Sequence, residues 1–305
     1  MSQDFFAELP LKFTEVILGA YREEGNLWIE RLPEIIGEIE ENWSLKAWKP
    51  FQNLSYHYVS PCVLTDGSEA VLKIGFPGDS RTVFSEIKIL KFLGGKGAVK
   101  LLRFDEKRFC FLLEKLVPGE NLKTIYQNEP SEAVKTAIEV MRKFWQNPPE
   151  NHNFPTLEKW FEGFIEAEKI NFAPNYVKKA RMFFDELTAN SKQQTLLHGD
   201  FHHENILSAE REPFLAIDPK GIVGDIGYDI SVFLINQANW LKTESNLKGK
   251  LDFTILQFAE GFEIEPQNLR KWVFAHSVLS AWWTFEENCE NWRDELAFTE
   301  IWGSL

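Results

Sequence analysis

The sequence has few cysteines and no long apolar run. Cys62, Cys110 and Cys289 are odd in number and far apart in a chain of 305 residues, so neither a disulfide framework nor a cysteine metal site is expected. Such usage is typical of a reducing cytoplasm, where we expect this protein. No apolar run reaches the roughly 18 residues that a transmembrane helix needs. Residues 1–5 lack the basic start of an export signal, so neither membrane insertion nor export is predicted.

Basic charge is also scarce. Lys and Arg total 33 against 46 Asp and Glu, which gives a formal net charge of -13. Nucleic-acid binding relies on a basic surface that releases counterions from phosphates, so a nucleic-acid partner is not expected. An acidic chain suits a cationic small molecule, although acidity also serves solubility in general.

Two short segments carry a pattern of oxygen ligands. Residues 197–207 read LHGDFHHENIL, and residues 215–221 read LAIDPKG. Asp200 and Asn205 share a predicted tight loop, and Asp218 ends a short apolar strand. One carboxylate for an acceptor hydroxyl and two oxygen ligands for Mg²⁺ can converge there, since Mg²⁺ takes its other ligands from water and phosphates. The pattern predicts phosphoryl transfer, which depends on positioning and charge neutralisation. Asp and Asn are otherwise common turn formers, but the ordered set is more specific than any one member.

Three histidines accompany these residues. His198 is predicted to hold the backbone of the loop rather than to transfer a proton, although its ordinary pKa would permit transfer. His202 and His203 could contact phosphate or acceptor, and a polar loop surface explains them equally well.

A lysine lies inside the apolar stretch AVLKIG at residues 70–75. An unpaired charge is costly in such a place, so Lys73 needs a partner. Glu86 comes three residues after Val83 and four before Leu90, on the apolar side of a predicted helix. We predict a Lys73–Glu86 ion pair, which is the pair that kinases use to hold nucleotide phosphates. The alternative is a lysine at a strand edge that extends to solvent.

Five blocks of the chain resemble a known family, the aminoglycoside phosphotransferases, and within it the streptomycin and hydroxyurea resistance kinases. The resemblance implies a protein-kinase-like α+β fold of two lobes, with a small antiparallel sheet and one key helix in the first and mainly helices in the second. It implies ATP as phosphate donor, with GTP as an alternative, and Mg²⁺. Asp200 would be the catalytic base, and Asn205 and Asp218 would hold the metal. The blocks are residues 70–75, 93–99, 197–207, 216–229 and 275–283.

The two lobes are predicted to divide between residues 116 and 117. The first would be the nucleotide-binding lobe, with a helical lead-in over residues 1–48, and the second the catalytic and substrate-binding lobe. Hydrophobic periodicity and turn signals predict the remaining elements. Strands are predicted at 56–64, 69–74 and 109–114, and helices at 81–93, from about 131 onward, at 160–170, 177–187 and 229–241.

Glycine is missing where a phosphate-binding loop is expected. Residues 53–58 read NLSYHY, so the generic glycine-rich loop is absent. The kinases that the chain resembles are also poor in glycine here, which implies that Ser55 and nearby backbone amides contact the phosphates. Turn signals at residues 115–119 predict the connection between lobes. Adenine would then pair with backbone groups near Glu114 and Leu116.

The segment after Asp218 is too short for an activation loop. Pro219 and Lys220 follow it instead of Phe-Gly, and only about ten residues precede the next helix, so regulation by loop phosphorylation is not expected. Asp229, at the start of that helix, is predicted to brace the catalytic loop. Lys220 either balances charge near the phosphates or serves as a turn residue. Because a protein acceptor would need a larger docking platform, a small-molecule acceptor is predicted.

Recognition of the acceptor is predicted in the segment WWTFEENCE at residues 282–290. Glu286, Glu287 and Glu290, with the ring of Trp283, suit ammonium or guanidinium groups. An ordinary solvated acidic helix end is an equally good interpretation.

The leading prediction is a monomeric kinase that phosphorylates a hydroxyl of a small, cationic compound such as an aminoglycoside, with streptomycin as the family's example. A second prediction keeps the chemistry but changes the acceptor to a sugar, amino alcohol, nucleoside or hydroxyurea-like compound. A third is a nucleotide-binding regulatory protein that has lost turnover.

Overall fold

The computed structural model describes residues 2–190, 194–287 and 291–303. The chain forms two compact units, Met1–Gly119 and Glu120–Leu305. A five-stranded antiparallel sheet occupies the first unit, whereas helices dominate the second, which confirms the α+β class. No helix within these described ranges is long and apolar enough to cross a membrane.

The first unit begins with helices α1 (Ser2–Glu8) and α2 (Leu11–Trp43). The apolar positions of α2 pack into the same core as strands of the sheet. Arg22 has a non-helical backbone and divides α2 by a kink. The predicted helical lead-in is wrong at its end. Ser44 adopts a left-handed conformation that stops the helix, and Leu45–Ala47 form strand β1 instead.

The sheet of the first unit also contains β2 (Tyr58–Leu64), β3 (Glu69–Ile74), β4 (Leu101–Asp105) and β5 (Cys110–Glu114). The order of its strands is β1-β2-β3-β5-β4. A turn over residues 64–68 joins β2 and β3, where Gly67 has φ +84° and the Leu64 amide donates to the Ser68 carbonyl. Helix α3 (Ser80–Leu93) follows β3 and ends at Gly94. Strand β4 was not predicted, because only its ends are shielded and no apolar alternation marks it.

Two cysteines lie within this sheet. Cys62 is on β2 and Cys110 on β5, and both are free and buried. Burial raises the pKa of Cys62 to about 11 and that of Cys110 to about 12. Cys289 lies outside the described residues.

Helices form most of the second unit. The predicted helix 160–170 is divided into α6 and α7, which meet at Glu162. The predicted helix 229–241 begins earlier, at Gly227. The helices are α4 (Leu122–Ile125), α5 (Pro130–Phe144), α6 (Leu157–Phe161), α7 (Gly163–Lys169), α8 (Pro174–Asn190), α9 (Gly227–Leu241), α10 (Leu247–Phe262), α11 (Pro266–Glu286) and α12 (Trp292–Gly303).

Two small sheets in the second unit bring its polar segments together. Strand β7 (Thr195–Leu197) pairs with β10 (Ile222–Gly224), so the loop after β7 lies beside the stretch before β10. Strand β6 (Pro118–Asn121) belongs to a three-stranded sheet with a hairpin of two further strands, β8 (Ile206–Ala209) and β9 (Phe214–Ala216). In that hairpin Ile206 opposes Ala216. The polar residues on either side of the hairpin are therefore neighbours.

Candidate active site

Residues 198–205, which the sequence predicts to be the catalytic loop and which are called so below, are hydrogen-bonded to residues 217–221. The Ile217 amide donates to the Asn205 carbonyl (2.9 Å), and the Lys220 amide donates to the His198 carbonyl (2.7 Å). The Gly221 amide donates to the same His198 carbonyl (3.2 Å). The His198 ring adds a fourth bond through Nε2 to the Ile217 carbonyl (2.8 Å). Asp200, Asn205 and Asp218 thus belong to two segments that are held side by side.

Asp229 braces the first half of this loop. Its carboxylate accepts hydrogen bonds from the backbone amides of His198 (2.9 Å) and Gly199 (2.8 Å), and from Trp145 Nε1 (2.9 Å). Complete burial raises the pKa of Asp229 to about 6, against the lowering effect of these three donors. The ionised form accepts all three bonds, so the brace depends on ionised Asp229.

His198 holds the loop backbone, as the sequence analysis predicted. Its Nδ1 accepts the Asp200 amide (3.1 Å), so the ring proton is on Nε2, which donates to Ile217. Burial lowers the pKa of His198 to about 4, and the ring is therefore neutral near pH 7. A neutral ring with both nitrogens engaged is suited to support rather than to proton transfer.

His203 does not lie on a polar loop surface, so that interpretation is wrong. The ring is 2% exposed, packs on Phe233 and Trp240, and bonds through Nε2 to Gln237 Oε1. Burial lowers its pKa to about 3. This environment is formed by residues of a helix that is distant in sequence, so the residues around His203 do not predict it. His202, in contrast, caps the following turn by accepting the Glu204 amide at Nδ1 (3.2 Å).

The carboxylate of Asp200 is accessible to solvent at the centre of the loop. Its side chain is 38% exposed, with His202 Nε2 3.7 Å from Oδ1 and Lys220 Nζ 3.9 Å from Oδ2. The ammonium group of Lys220 therefore lies near the Asp200 carboxylate, so Lys220 is not a turn residue alone. Such a carboxylate can accept a proton from a hydroxyl that approaches from solvent.

The donor set fits Mg²⁺. Asn205 Nδ2 donates to the Asp200 carbonyl (3.0 Å). The side-chain oxygen of Asn205 therefore points away from that bond, and an amide oxygen is a hard ligand of the kind that Mg²⁺ prefers. Asp218 has φ 57°, a left-handed conformation that costs an L residue about 1–2 kcal/mol and that Asp tolerates better than most. Among the described residues no group of three His, Cys, Asp or Glu side chains could hold a metal by itself. Mg²⁺ would accordingly need phosphate or water oxygens as well.

Lys73 and Glu86 form the predicted ion pair. Lys73 Nζ lies 2.8 Å from Glu86 Oε2 and 3.0 Å from Oε1, and the side chains are 3% and 4% exposed. The strand-edge alternative is therefore wrong. Phe111, which opposes Lys73 on β5, contributes a ring 5.6 Å from the ammonium group. The pair places a fixed positive charge in the first unit, where a nucleotide phosphate could use it.

Three further residues were predicted to contact the nucleotide. Ser55 is exposed in the loop that precedes β2. Glu114 ends β5, and its Oε1 accepts the Lys100 amide (2.8 Å), so its side chain serves the protein while its backbone is the predicted adenine contact. Leu116 is half-buried in the segment between β5 and β6.

An aromatic and acidic surface leads away from the catalytic loop. A Cβ on Gly199 would lie 3.1 Å from the ring of Trp160, and Trp160 packs edge-on against Trp283 at 5.8 Å. Glu286 and Glu287 are exposed one turn farther along. Burial raises the pKa of Glu286, and the charges of Glu166 and Glu287 raise it further. Glu290 was also predicted to contact the acceptor and lies outside the described residues.

A model of the aminoglycoside/hydroxyurea antibiotic resistance kinase family matches residues 48–288. The chain belongs to this family. The predicted family and kinase class are thereby confirmed.

Named relatives and a solved structure agree with this placement. This kinase is 26% identical to the streptomycin 6-kinase of Streptomyces griseus, with 87% of each chain covered. It is 27% identical to the hydroxyurea phosphotransferase of Kitasatospora aureofaciens over 92% of this chain and 81% of that protein. A thermostable mutant of aminoglycoside phosphotransferase APH(4)-Ia, in ternary complex with ADP and hygromycin B, matches with a TM-score of 0.62 and 12% identity. That match covers 89% of this chain and 97% of the other, and it confirms the protein-kinase-like fold.

Sequence reasoning missed three residues that surround the catalytic loop of this kinase. Trp145 was assigned to an apolar stripe, yet its Nε1 bonds to Asp229. Trp160 and Gln237 contact the loop from separate helices. Gln237 was detectable in principle, since it is a polar residue within the apolar run of α9.

Proposed function

We propose that this kinase transfers the γ-phosphoryl group of ATP to a hydroxyl of a small, cationic acceptor of the aminoglycoside class. The observation that carries the proposal is the catalytic loop, in which neutral His198 and ionised Asp229 fix the backbone while Asp200 stays accessible. A carboxylate that is accessible on a loop with a fixed backbone suits proton abstraction from an acceptor hydroxyl.

Each residue has one role in the proposed mechanism. Asp200 accepts the hydroxyl proton as the acceptor oxygen attacks phosphorus, and the bond to the leaving ADP oxygen breaks. Lys73, held by Glu86, binds the α and β phosphates. The Asn205 amide oxygen and the Asp218 carboxylate would hold Mg²⁺, which when bound neutralises phosphate charge. Ser55 and the backbone near Glu114 and Leu116 would orient the nucleotide, with GTP as an alternative donor.

The surface from Trp160 to Glu287 supports a cationic acceptor. Indole faces and carboxylates attract ammonium and guanidinium groups, and the net charge of -13 favours their approach. Streptomycin, the substrate in the name of one relative, has this chemistry. The second relative is named for hydroxyurea, which is neutral, so a hydroxyurea-like acceptor is the second candidate. We further propose that the kinase acts as a monomer. We propose the cytoplasm as its compartment, since ATP is available there and thiols such as those of Cys62 and Cys110 stay reduced.

The deciding experiment measures ADP released from ATP by purified protein in the presence of Mg²⁺ and a panel of acceptors. The panel contains streptomycin, other aminoglycosides, hydroxyurea, sugars and amino alcohols, with Asp200→Asn as the blank. We expect streptomycin-stimulated release that Asp200→Asn lowers by about 10²- to 10⁴-fold. Stimulation by hydroxyurea alone would select the second candidate. Mg²⁺-dependent ATP binding without any stimulated release would favour the regulatory alternative.

A further inference from the structure

Helix α9 contacts the catalytic loop along one stripe of its surface. Asp229, Phe233, Gln237 and Trp240 are spaced by four, four and three residues and so lie on one face of the helix. Asp229 bonds to the backbone at residues 198 and 199, whereas the other three contact the ring of His203. The loop is therefore held by one helix on both sides of Asp200.

The second contact is polar in an otherwise apolar surrounding. The His203 ring centroid lies 3.9 Å from that of Phe233 and 5.0 Å from that of Trp240. Gln237 is 1% exposed, and its carbonyl oxygen accepts a hydrogen bond from His203 Nε2. Aromatic packing alone would bury a phenyl ring equally well. The hydrogen bond also fixes the orientation of the imidazole ring. A buried donor and acceptor that are misaligned lower the stability of the fold, so other orientations of the ring are disfavoured.

The orientation of His203 is transmitted to Asn205 over two residues. His203–Asn205 form a single 3-10 turn. The backbone amide of Asn205 donates to the His202 carbonyl (3.0 Å). In its side chain, Asn205 Nδ2 donates a hydrogen bond to the Asp200 carbonyl. The direction of the Asn205 amide oxygen thus depends on the turn that His203 anchors.

We propose that Gln237, through His203, is a positioning residue that aims the Asn205 oxygen at Mg²⁺. The proposal rests on the proposed function and deepens it. It assigns to the middle of α9 a task distinct from that of Asp229, which fixes the loop upstream of Asp200. Partners that orient metal ligands in other proteins change metal affinity or activity by 10- to 100-fold when they are replaced.

The test compares Gln237→Leu with the matched control Gln257→Leu. Both glutamines line the same cavity of about 250 Å³, but Gln257 bonds to Ser131 and not to the catalytic loop. The first readout is the Mg²⁺ concentration for half-maximal binding of a fluorescent ATP analogue, which needs no turnover. Melting temperature, kcat and the acceptor KM complete the set.

We expect Gln237→Leu to raise the half-maximal Mg²⁺ concentration about tenfold and to lower kcat by a similar factor, with the acceptor KM unchanged. Gln257→Leu should change melting temperature only. If Gln237→Leu lowers melting temperature but leaves the Mg²⁺ dependence as in wild type, the residue is merely structural and the proposal is overturned. Gln237→Met, which keeps the length of the side chain, serves if the leucine variant does not fold.

The binding readout separates this inference from the proposed function. Wild-type protein that binds the analogue with Mg²⁺ but phosphorylates no acceptor would contradict the proposed function, while the two glutamine variants would still decide the role of Gln237. Wild-type protein that shows no Mg²⁺-dependent binding would overturn both.

Discussion

Lys73 and Glu86 form an ion pair that is almost completely buried in the sheet unit. Replacing one partner leaves an uncompensated buried charge, which costs about 3–5 kcal/mol in known cases. We therefore expect both Lys73→Met and Glu86→Gln to lower the free energy of unfolding and to reduce kcat/KM for ATP by about a hundredfold.

The double variant Lys73→Met/Glu86→Leu separates stability from catalysis. Exchange of both charges for apolar groups is often neutral for stability, so urea unfolding should return toward the wild-type free energy. Activity should stay low, because no ammonium group remains for the phosphates. Recovery of ATP turnover in the double variant would contradict the phosphate-binding role.

Residue-scale prediction from sequence succeeded where a constraint was local. Lys73 could be paired with Glu86 because a charge within an apolar strand needs a partner and helical spacing offered one. His198 could be interpreted from its place beside Asp200. His203 could not, since its burial comes from Phe233 and Gln237 about thirty residues farther along the chain.

At the scale of elements, the C-terminal end of α11 carries the proposed acceptor contacts. Glu286→Gln and Glu287→Gln should each raise the KM for a cationic acceptor by about two- to fivefold, the range of exposed charge pairs. The neutral acceptor hydroxyurea should be unaffected. The effect should shrink in high salt, because salt screens exposed charges.

The control for these variants is Glu139→Gln, an exposed glutamate on α5. Steady-state kinetics at low and high ionic strength make the comparison. An unchanged KM for streptomycin in both Glu286→Gln and Glu287→Gln would remove these residues from the acceptor site and leave the solvated helix end as the interpretation.

Hydrophobic patterns in the sequence predicted several helices and strands and missed others. The hairpin of β2 and β3 has alternation and a turn sequence that mark it. The division between α6 and α7 was missed because it depends on tertiary contact: a Cβ on Gly163 would lie only 3.0 Å from the Trp282 ring of α11. Strand β1 was missed because three residues give too little periodicity to oppose a preceding helix.

For the whole molecule, buried histidines make stability depend on pH. Burial lowers the pKa of His276 to about 4 and that of His198 to about 4, below the ordinary 6.5. Between pH 6.5 and 4 the unfolded chain binds these protons while the native chain does not, so the free energy of unfolding falls as pH falls. Asp229 opposes this effect below pH 6, because its raised pKa makes the native state bind a proton first.

The variant His276→Gln removes the contribution of one histidine to this pH dependence of stability. The variant keeps a polar side chain beside Ser231 and Tyr228 but cannot titrate. From pH 6 to 4.5 we expect its free energy of unfolding to fall less steeply than that of wild type, with slopes that differ by at most about 1.4 kcal/mol per pH unit. Urea unfolding at a series of pH values measures the slopes, and equal slopes would show that His276 titrates normally in the native state.

The buried thiols of β2 and β5 provide a chemical probe for opening of the sheet. Cys62 and Cys110 are fully enclosed and their pKa values are raised, so an alkylating reagent can reach a thiolate only after the strands separate. In a Cys289→Ser background, the alkylation rate would measure how often the sheet opens under native conditions. Slower alkylation when a nucleotide is added would then report binding to the first unit without any substrate being turned over.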